Sequence, residues 1–369
     1  KQGLKGQVWQ ETIVHGCIPF RVSSADWERI YATVYRGEGK VGMPGGAQGC
    51  EAMYDIGIDV GGTGITAGLV DEKCRLVAGK SIATDRNMTT GALAELLMRL
   101  IRELMAENGV TASGIQTIGV GVPGTANAET GRIEYANNLP CCQGDFRGLL
   151  QGQTSKKVYF ENDANAAAWG EYLVLDKKPQ SFLMVTLGTG VGGGIIQDGR
   201  ILRGVNYAAG ELGHMTIRYN GIPCSCGRRG CLEAYASAEA LIARAKRVME
   251  KQKKSLLWAL CNENQGNMNA KLVFDAYRQG DETAQKVIGK YAEYLSEGLA
   301  NIINILQPEV LCIGGGISRS GDILLPLLRE RVREKIYSRD SVRNTELTAA
   351  KLDNDAGIIG AAKLRLMLS

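Results

Sequence analysis

Residues 54–70 read YDIGIDVGGTGITAGLV, and residues 181–197 read SFLMVTLGTGVGGGIIQ. Each stretch is an apolar run, a glycine turn and a second apolar run. In the first, Tyr54–Val60 and residues 65–70 flank Gly61-Gly62-Thr63-Gly64, which predicts a hairpin. In the second, a strand at 182–187 leads into the glycine-rich 188–194 and then a short strand at 195–197. The same unit occurring twice predicts an internal repeat, two similar domains facing one cleft.

The chain outward from these hairpins alternates strands and helices, the pattern of an α/β fold. Leu76–Ala83 reads as a third strand. Residues 90–108 form an amphipathic helix with Leu93, Leu96, Leu97, Leu100, Ile101 and Leu104 on one stripe. Thr89 or Thr90 is placed to cap it, and Gly109 to end it. Ile115–Val122 and residues 157–161 read as strands, and 164–173 as an alanine-rich helix. Helices follow at 238–253 and 282–306. Pro308 stops the latter, and a buried strand at 310–313 runs into Gly314-Gly315-Gly316.

Three glycine turns each follow a strand: Gly61-Gly62-Thr63, Gly188-Thr189-Gly190 and Gly314-Gly315. Glycine lets backbone N–H groups approach a phosphate closely, and the two threonines add hydroxyl donors. No Gly-Lys-Ser/Thr follows any of them, and no G-x-G-x-x-G opens a helix in a βαβ unit. One such turn is an ordinary turn. Three at strand ends, shared between the halves, point to a nucleotide in an interdomain cleft.

Asp163 stands where the strand at 157–161 becomes a helix. Read locally, Asp163 or Asn162 caps that helix. Read in an α/β sheet, a carboxylate at a strand's carboxyl end faces the crevice where ligands bind. A hydroxyl attacking a γ-phosphate needs a base to accept its proton, and Asp163 is the best candidate in the chain.

Residues 210–233 read GELGHMTIRYNGIPCSCGRRGCLE. His214, Cys224, Cys226 and Cys231 make a full tetrahedral ligand set for a structural zinc ion. Such a site would fix a loop that presents Glu211 and Glu233.

Composition bounds the remaining classes. A chain of 369 residues with 44% hydrophobic and 22% charged residues has enough for two ordinary domains. Its net charge is +4 and its basic residues are scattered, so no nucleic-acid partner is expected. No apolar run reaches the ~18–20 residues of a membrane span, and no signal peptide is evident. Of ten cysteines, three sit in the metal pattern, while Cys74, Cys261 and Cys312 stand singly, which fits a reduced cytoplasm. Met53 is expected to be the natural start, with residues 1–52 an extension outside the core fold.

Taken together, DVGGTGITAGLVDE (59–72), GVGVPGTAN (119–127), ENDANAAAWGE (161–171), TLGTGVGGGII (186–196), GELGHM (210–215), CSCGRRGCLEAYAS (224–237) and LCIGGGIS (311–318) resemble the ROK family of repressors, open reading frames and kinases. The likeness runs from about Met53 to the C-terminus and is greatest to the family's glucokinase-like sugar kinases. It implies an α/β, actin-like (ribonuclease H-like) ATPase fold with two domains around a central cleft. The small domain would be 53–165 plus 355–369, and the large domain 166–354 with the zinc loop.

The implied activity is ATP-dependent phosphorylation of a hexose, glucose first, with Asp163 as base. N-acetylmannosamine, N-acetylglucosamine, mannose and fructose are the alternative substrates. Sugar contacts are implied for Gly124, Asn137, Asn138, Asn162, Glu211, His214 and Glu233. His214 would put one ring nitrogen on zinc and the other toward the sugar. Asp59 would orient water or Mg²⁺ near the phosphates of ATP. A homodimer or homotetramer in the cytoplasm, with a role in glycolysis, is expected. Metal loss is expected to raise the KM for sugar and lower kcat, with little change in nucleotide binding.

Two positions depart from the family pattern. Gly64 stands where many members carry a larger residue, and Cys141-Cys142 replaces a common Gly-Trp. The competing reading is a sugar-sensing repressor of the same family. That needs an N-terminal winged helix-turn-helix, and residues 1–52 show no pair of periodic helices. A zinc-stabilised binding module without activity is the third reading.

Overall fold

The structure, a computed structural model, describes residues 52–85, 87–136, 139 and 144–367. All but the last residue of the expected 1–52 extension lies outside them. Two five-stranded sheets are built to one plan. The first contains β1 (Tyr54–Val60), β2 (Gly64–Val70), β3 (Leu76–Ala83), β4 (Ile115–Val122) and β5 (Lys157–Asn162), in the order β3-β2-β1-β4-β5. The second contains β6 (Ser181–Leu187), β7 (Val191–Gln197), β8 (Arg200–Ile201), β9 (Val310–Gly314) and β10 (Glu346–Ala349), in the order β8-β7-β6-β9-β10. In each, three strands form an antiparallel meander and the last two run parallel to the first. The duplicated plan is that of the actin-like (ribonuclease H-like) fold.

Local sequence explains most element ends. Helix α1 (Thr90–Glu107) buries Leu93, Leu97, Leu100, Ile101 and Leu104 against the first sheet's core of Ile56, Ile58, Ile118 and Phe160. Each such side chain contributes about 1.5–3 kcal/mol on full burial. Thr89 caps the helix by accepting from the Ala92 N–H at 3.2 Å. The long helix α3 (Glu282–Leu306) ends at Gln307 in the left-handed region, just before Pro308. It lies over the second sheet, where Tyr291, Leu295 and Leu299 meet Leu183, Val185 and Ile313.

Two expectations need correction. The helix expected at 238–253 ends at Met249, because Glu250-Lys251-Gln252-Lys253-Lys254 offers no further apolar residue to bury. The turn expected at 188–194 is shorter, since strand β7 already starts at Val191 and contains Gly192, Gly193 and Gly194. Those glycines serve close packing. A Cβ on Gly193 would come within 2.6 Å of the Gly210 carbonyl, and one on Gly194 within 2.4 Å of the Ala168 Cβ.

Helix α2 (Asp163–Leu173) explains its own alanines. Ala166 faces Gly121 of β4, while Ala168 and Trp169 pack with Phe182, Met184 and Ile196 of the second sheet. The last helix, α4 (Asp355–Ala362), lies directly on β1 and β4. A Cβ on Gly57 would meet the Ile358 carbonyl at 1.9 Å, and one on Gly119 the Ala361 carbonyl at 1.8 Å. A buried ion pair follows it: Asp55 accepts from Lys363 Nζ at 2.6 Å, Arg365 Nε at 3.0 Å and Thr117 Oγ1 at 2.7 Å. No helix among the described residues is long and apolar enough to cross a membrane.

Candidate active site

Strand β5 delivers three consecutive polar residues to the end of the first sheet. Asn162 caps α2: its Oδ1 accepts from the Asn165 N–H at 3.0 Å, and its Nδ2 donates to the Gly124 carbonyl at 3.1 Å. This settles which residue caps the helix and leaves Asp163 in its first turn, beyond the cap. Asp163 Oδ1 accepts the Ala164 N–H at 2.8 Å. Its carboxyl is nevertheless pushed up to about 7, first by desolvation, then by the charge of Asp59, with Glu211 adding to it. Asp59, at the end of β1, is likewise raised to about 6 by desolvation. Both groups keep partial contact with solvent. Three carboxylates from three segments therefore lie near enough for the charges of Asp59 and Glu211 to act on Asp163.

The glycine turns stand at the ends of β1, β6 and β9. The first turn is closed by Gly61 N–H on the Gly64 carbonyl at 2.9 Å and by Thr84 Oγ1 on the Gly61 carbonyl at 2.7 Å, which leaves Thr63 exposed at its tip. In the second sheet, Thr189 is exposed at the tip of the Gly188–Gly190 turn. Gly315, with φ +78°, packs so close to β6 that a Cβ would lie 2.5 Å from the Leu187 carbonyl. The second and third glycine loops are thus neighbours. That side offers backbone N–H groups and the Thr189 hydroxyl, while Asp59 and Asp163 stand at strand ends of the first sheet.

The metal-ligand set also assembles. The ligand atoms of His214, Cys224, Cys226 and Cys231 all lie within 4.8 Å of one another. The Cys226 and Cys231 sulfurs are 3.7 Å apart, and Cys224 Sγ is 3.6 Å from His214 Nδ1. Disulfide sulfurs would sit about 2.05 Å apart. A tetrahedral zinc with bonds of about 2.3 Å to sulfur and about 2.0–2.1 Å to nitrogen has edges of roughly 3.6–3.8 Å, so the residues fit such an ion. With Nδ1 toward the thiols, His214 turns Nε2 toward Glu211, 4.0 Å away. Partial burial raises the Glu211 carboxyl, His214 opposes the shift and Glu233 adds to it.

Glu233 links the metal loop to the strand that follows the second glycine turn. Its Oε2 accepts the Val191 N–H at 3.0 Å, and its Oε1 accepts from Ser225 Oγ at 3.2 Å. A Cβ on Gly190 would come within 2.5 Å of Oε2, so only glycine leaves room for the carboxylate. The metal loop is therefore bonded to the second glycine turn.

Asn137, Asn138, Cys141 and Cys142 lie outside the described residues. Gly124, with φ +94°, offers its carbonyl to Asn162 Nδ2 at 3.1 Å. Sequence reading passes over Arg203, whose Nε donates to Glu161 Oε2 at 2.7 Å beside Asn162. The available signal is a glutamate ending the apolar strand Val158-Tyr159-Phe160, which calls for a buried cation.

Comparison with known proteins is consistent across sequence and structure. Glucokinase of Thermotoga maritima is 37% identical over 317 residues, covering 84% of this chain and 96% of that one. The ROK family glucokinase of Streptomyces griseus, solved in complex with glucose and AMPPNP, superposes with a TM-score of 0.76 at 30% identity, over 84% of this chain and 98% of that one. A xylose repressor of Caldicellulosiruptor bescii is 32% identical over 281 residues, 74% of this chain and 69% of the repressor. The ROK family model matches residues 55–367, and the chain belongs to the ROK family.

Proposed function

We propose that the chain is an ATP-dependent hexose kinase, transferring the γ-phosphoryl group of ATP to the 6-hydroxyl of glucose. The observation that carries this reading is the Asp163 carboxyl, raised to about 7 by desolvation and by the charges of Asp59 and Glu211. A base near neutrality can be ionised at working pH and still hold a proton it receives. Asp163 accepts the proton of the sugar hydroxyl as its oxygen bonds to the γ-phosphorus. The bond from phosphorus to the β–γ bridging oxygen breaks, and ADP leaves. Likeness to glucokinases over nearly their whole length supports the kinase over the repressor, of which the chain spans a smaller share.

In this reading Asn162, Glu211, His214 and Glu233 hold sugar hydroxyls, with Gly124, Asn137 and Asn138 near the cleft mouth. The loops Gly61-Gly62-Thr63, Gly188-Thr189-Gly190 and Gly314-Gly315 receive the phosphates. Asp59 would orient Mg²⁺ or its water, the ion supplying charge neutralisation at the phosphates. No hydrogen bond or ion pair engages its carboxylate among the described residues, which suits such a partner. His214, Cys224, Cys226 and Cys231 would hold a structural zinc. The small domain comprises 53–165 plus 355–369 and the large domain 166–354, a division supported by the two sheets and the seat of α4.

A coupled assay of ADP formation over a panel of hexoses tests this function. Glucose is expected to give the highest kcat/KM. Equal ADP formation with and without any sugar would overturn the assignment. Preference for N-acetylmannosamine, N-acetylglucosamine or fructose would keep the chemistry and change the substrate.

A further inference from the structure

Glu161 lies in β5, one residue before its end, with its side chain 2% exposed. Its Oε1 accepts the Asn162 N–H at 3.1 Å and Asn165 Nδ2 at 3.1 Å, and its Oε2 accepts Arg203 Nε at 2.7 Å. Arg203 belongs to the other half of the molecule, in the segment that follows β8. The Arg203 carbonyl accepts from the Ala209 N–H at 3.0 Å, closing a short loop that runs straight into Gly210 and Glu211. The ion pair therefore joins two strand ends. One carries Asn162 and Asp163, and the other leads to Glu211 and His214.

The chemistry of the pair suits fine placement. A guanidinium is a planar donor array on a pre-organised fork, so it fixes orientation as well as distance. Without Arg203, Glu161 would be a buried unpaired charge two residues before the base, and the 161–163 strand end would have to shift to solvate it. Among the described residues, Arg203 is the cation that bonds Glu161, whose remaining partners are the neutral Asn162 N–H and Asn165 amide.

We propose that Arg203 is a positioning residue for phosphoryl transfer. Through Glu161 it holds the base on the first half of the molecule in register with the sugar-holding segment on the second. The inference rests on the reading of Asp163 as base. A displacement of about 1 Å at a reacting centre can cost ~10²-fold in rate, so the expected effect is of that order. It should appear in kcat and in the KM for sugar. The KM for Mg-ATP should stay within about twofold, because the glycine turns are held by other bonds.

The test compares Arg203→Met, Arg203→Lys and the double variant Arg203→Met with Glu161→Gln against the wild-type chain. The double variant is the decisive one. It removes both charges and leaves an amide oxygen at position 161 to accept from Asn162 and Asn165, so no unpaired charge stays buried. If the pair only holds the fold together, kcat and sugar KM return to wild-type values in the double variant. That result overturns the proposal. The proposal expects normal melting but kcat still ~10–10²-fold low, with sugar KM raised. Arg203→Lys should lose less than Arg203→Met, since it keeps the charge without the fork. Should Arg203→Met fail to fold, the lysine and double variants still decide. If the wild type phosphorylates no hexose, the functional reading fails separately. Calorimetry with glucose then takes over: affinity lowered about tenfold in the double variant supports the clasp, and unchanged affinity refutes it.

Discussion

The two halves of the molecule share a frame and differ in what stands at the same place in it. In the first sheet, Asp59 on β1 pairs with Thr66 across the hairpin and with Gly121 on β4. In the second, Thr186 on β6 pairs with Gly192 and with Gly314 in the same two directions. A carboxylate on one half thus corresponds to a hydroxyl on the other. The same contrast holds two strands over, where β5 leads into Asp163 and β10 leads into Ala350. Duplication supplies two crevice walls, and substitution at the strand ends divides the work. In the proposed function the acidic wall would handle a proton and a cation. The second wall offers glycine N–H groups and hydroxyls, with Glu233 bonded to the Val191 N–H, and in the proposed function it receives the phosphates.

The strongest way to break this division is to neutralise the acidic wall. Asp163→Asn keeps the acceptor for the Ala164 N–H and should leave fold and sugar binding intact. Turnover should fall by ~10²–10⁴-fold, the range for losing a positioned base. A variant retaining a third of wild-type kcat would remove Asp163 from that role.

The next largest effect joins the walls. Cys226→Ser, or removal of the metal by a chelator, should loosen Glu211, His214 and Glu233 together and cost ~10²-fold in kcat over sugar KM. Because Glu233 also holds the Val191 N–H, affinity for an ATP analogue should fall as well, by several-fold. Unchanged nucleotide affinity in the metal-depleted protein would show that this bond does not transmit. Elemental analysis should find close to one zinc per chain.

A smaller effect comes from making the walls alike. Thr186→Asp places a carboxylate at the position equivalent to Asp59 in the second sheet and should raise the KM for Mg-ATP by ~10-fold or more through like-charge repulsion with phosphate. Sugar affinity measured without nucleotide should barely change. A rise in sugar Kd equal to the rise in ATP KM would mean that the second wall is not specific to phosphate.

The smallest effect is thermodynamic. The Asp163 carboxyl titrates about 7 in the folded chain against an ordinary value of 3.8. Between those values the unfolded chain has already released the proton and the folded chain has not. Stability is therefore lost as pH rises from about 4 to 7. Asp163→Asn removes this loss, so it should melt a few degrees higher than wild type at pH 8 and at the same temperature near pH 4. Equal melting at both values would mean that Asp163 is not desolvated.

Much of this is legible in residues 54–70 and 181–197, because a hairpin needs only local apolar runs and a glycine turn. The metal set is legible for the same reason, as a local pattern with a chemical requirement, whereas Asp163 reads locally as a cap candidate and stands out only through its place at a strand end. Contacts distant in sequence are not legible. Nothing near Arg203 names Glu161 as its partner, and nothing near Glu233 announces Val191. The glycines of β7 read as a turn because the Gly210 carbonyl and Ala168 that demand them come from other segments. The Asp55–Lys363 ion pair, 308 residues apart, has no local sign at all.

The most direct test mixes the protein with glucose and Mg-ATP at pH 8 and quantifies ADP and sugar phosphate together, for wild type and Asp163→Asn side by side. The account predicts ADP and glucose 6-phosphate in equal amounts from the wild type, and at least ~10²-fold less of both from the variant, with glucose still bound. Wild-type protein that binds glucose yet forms neither product, or a variant that matches it in rate, would contradict the account.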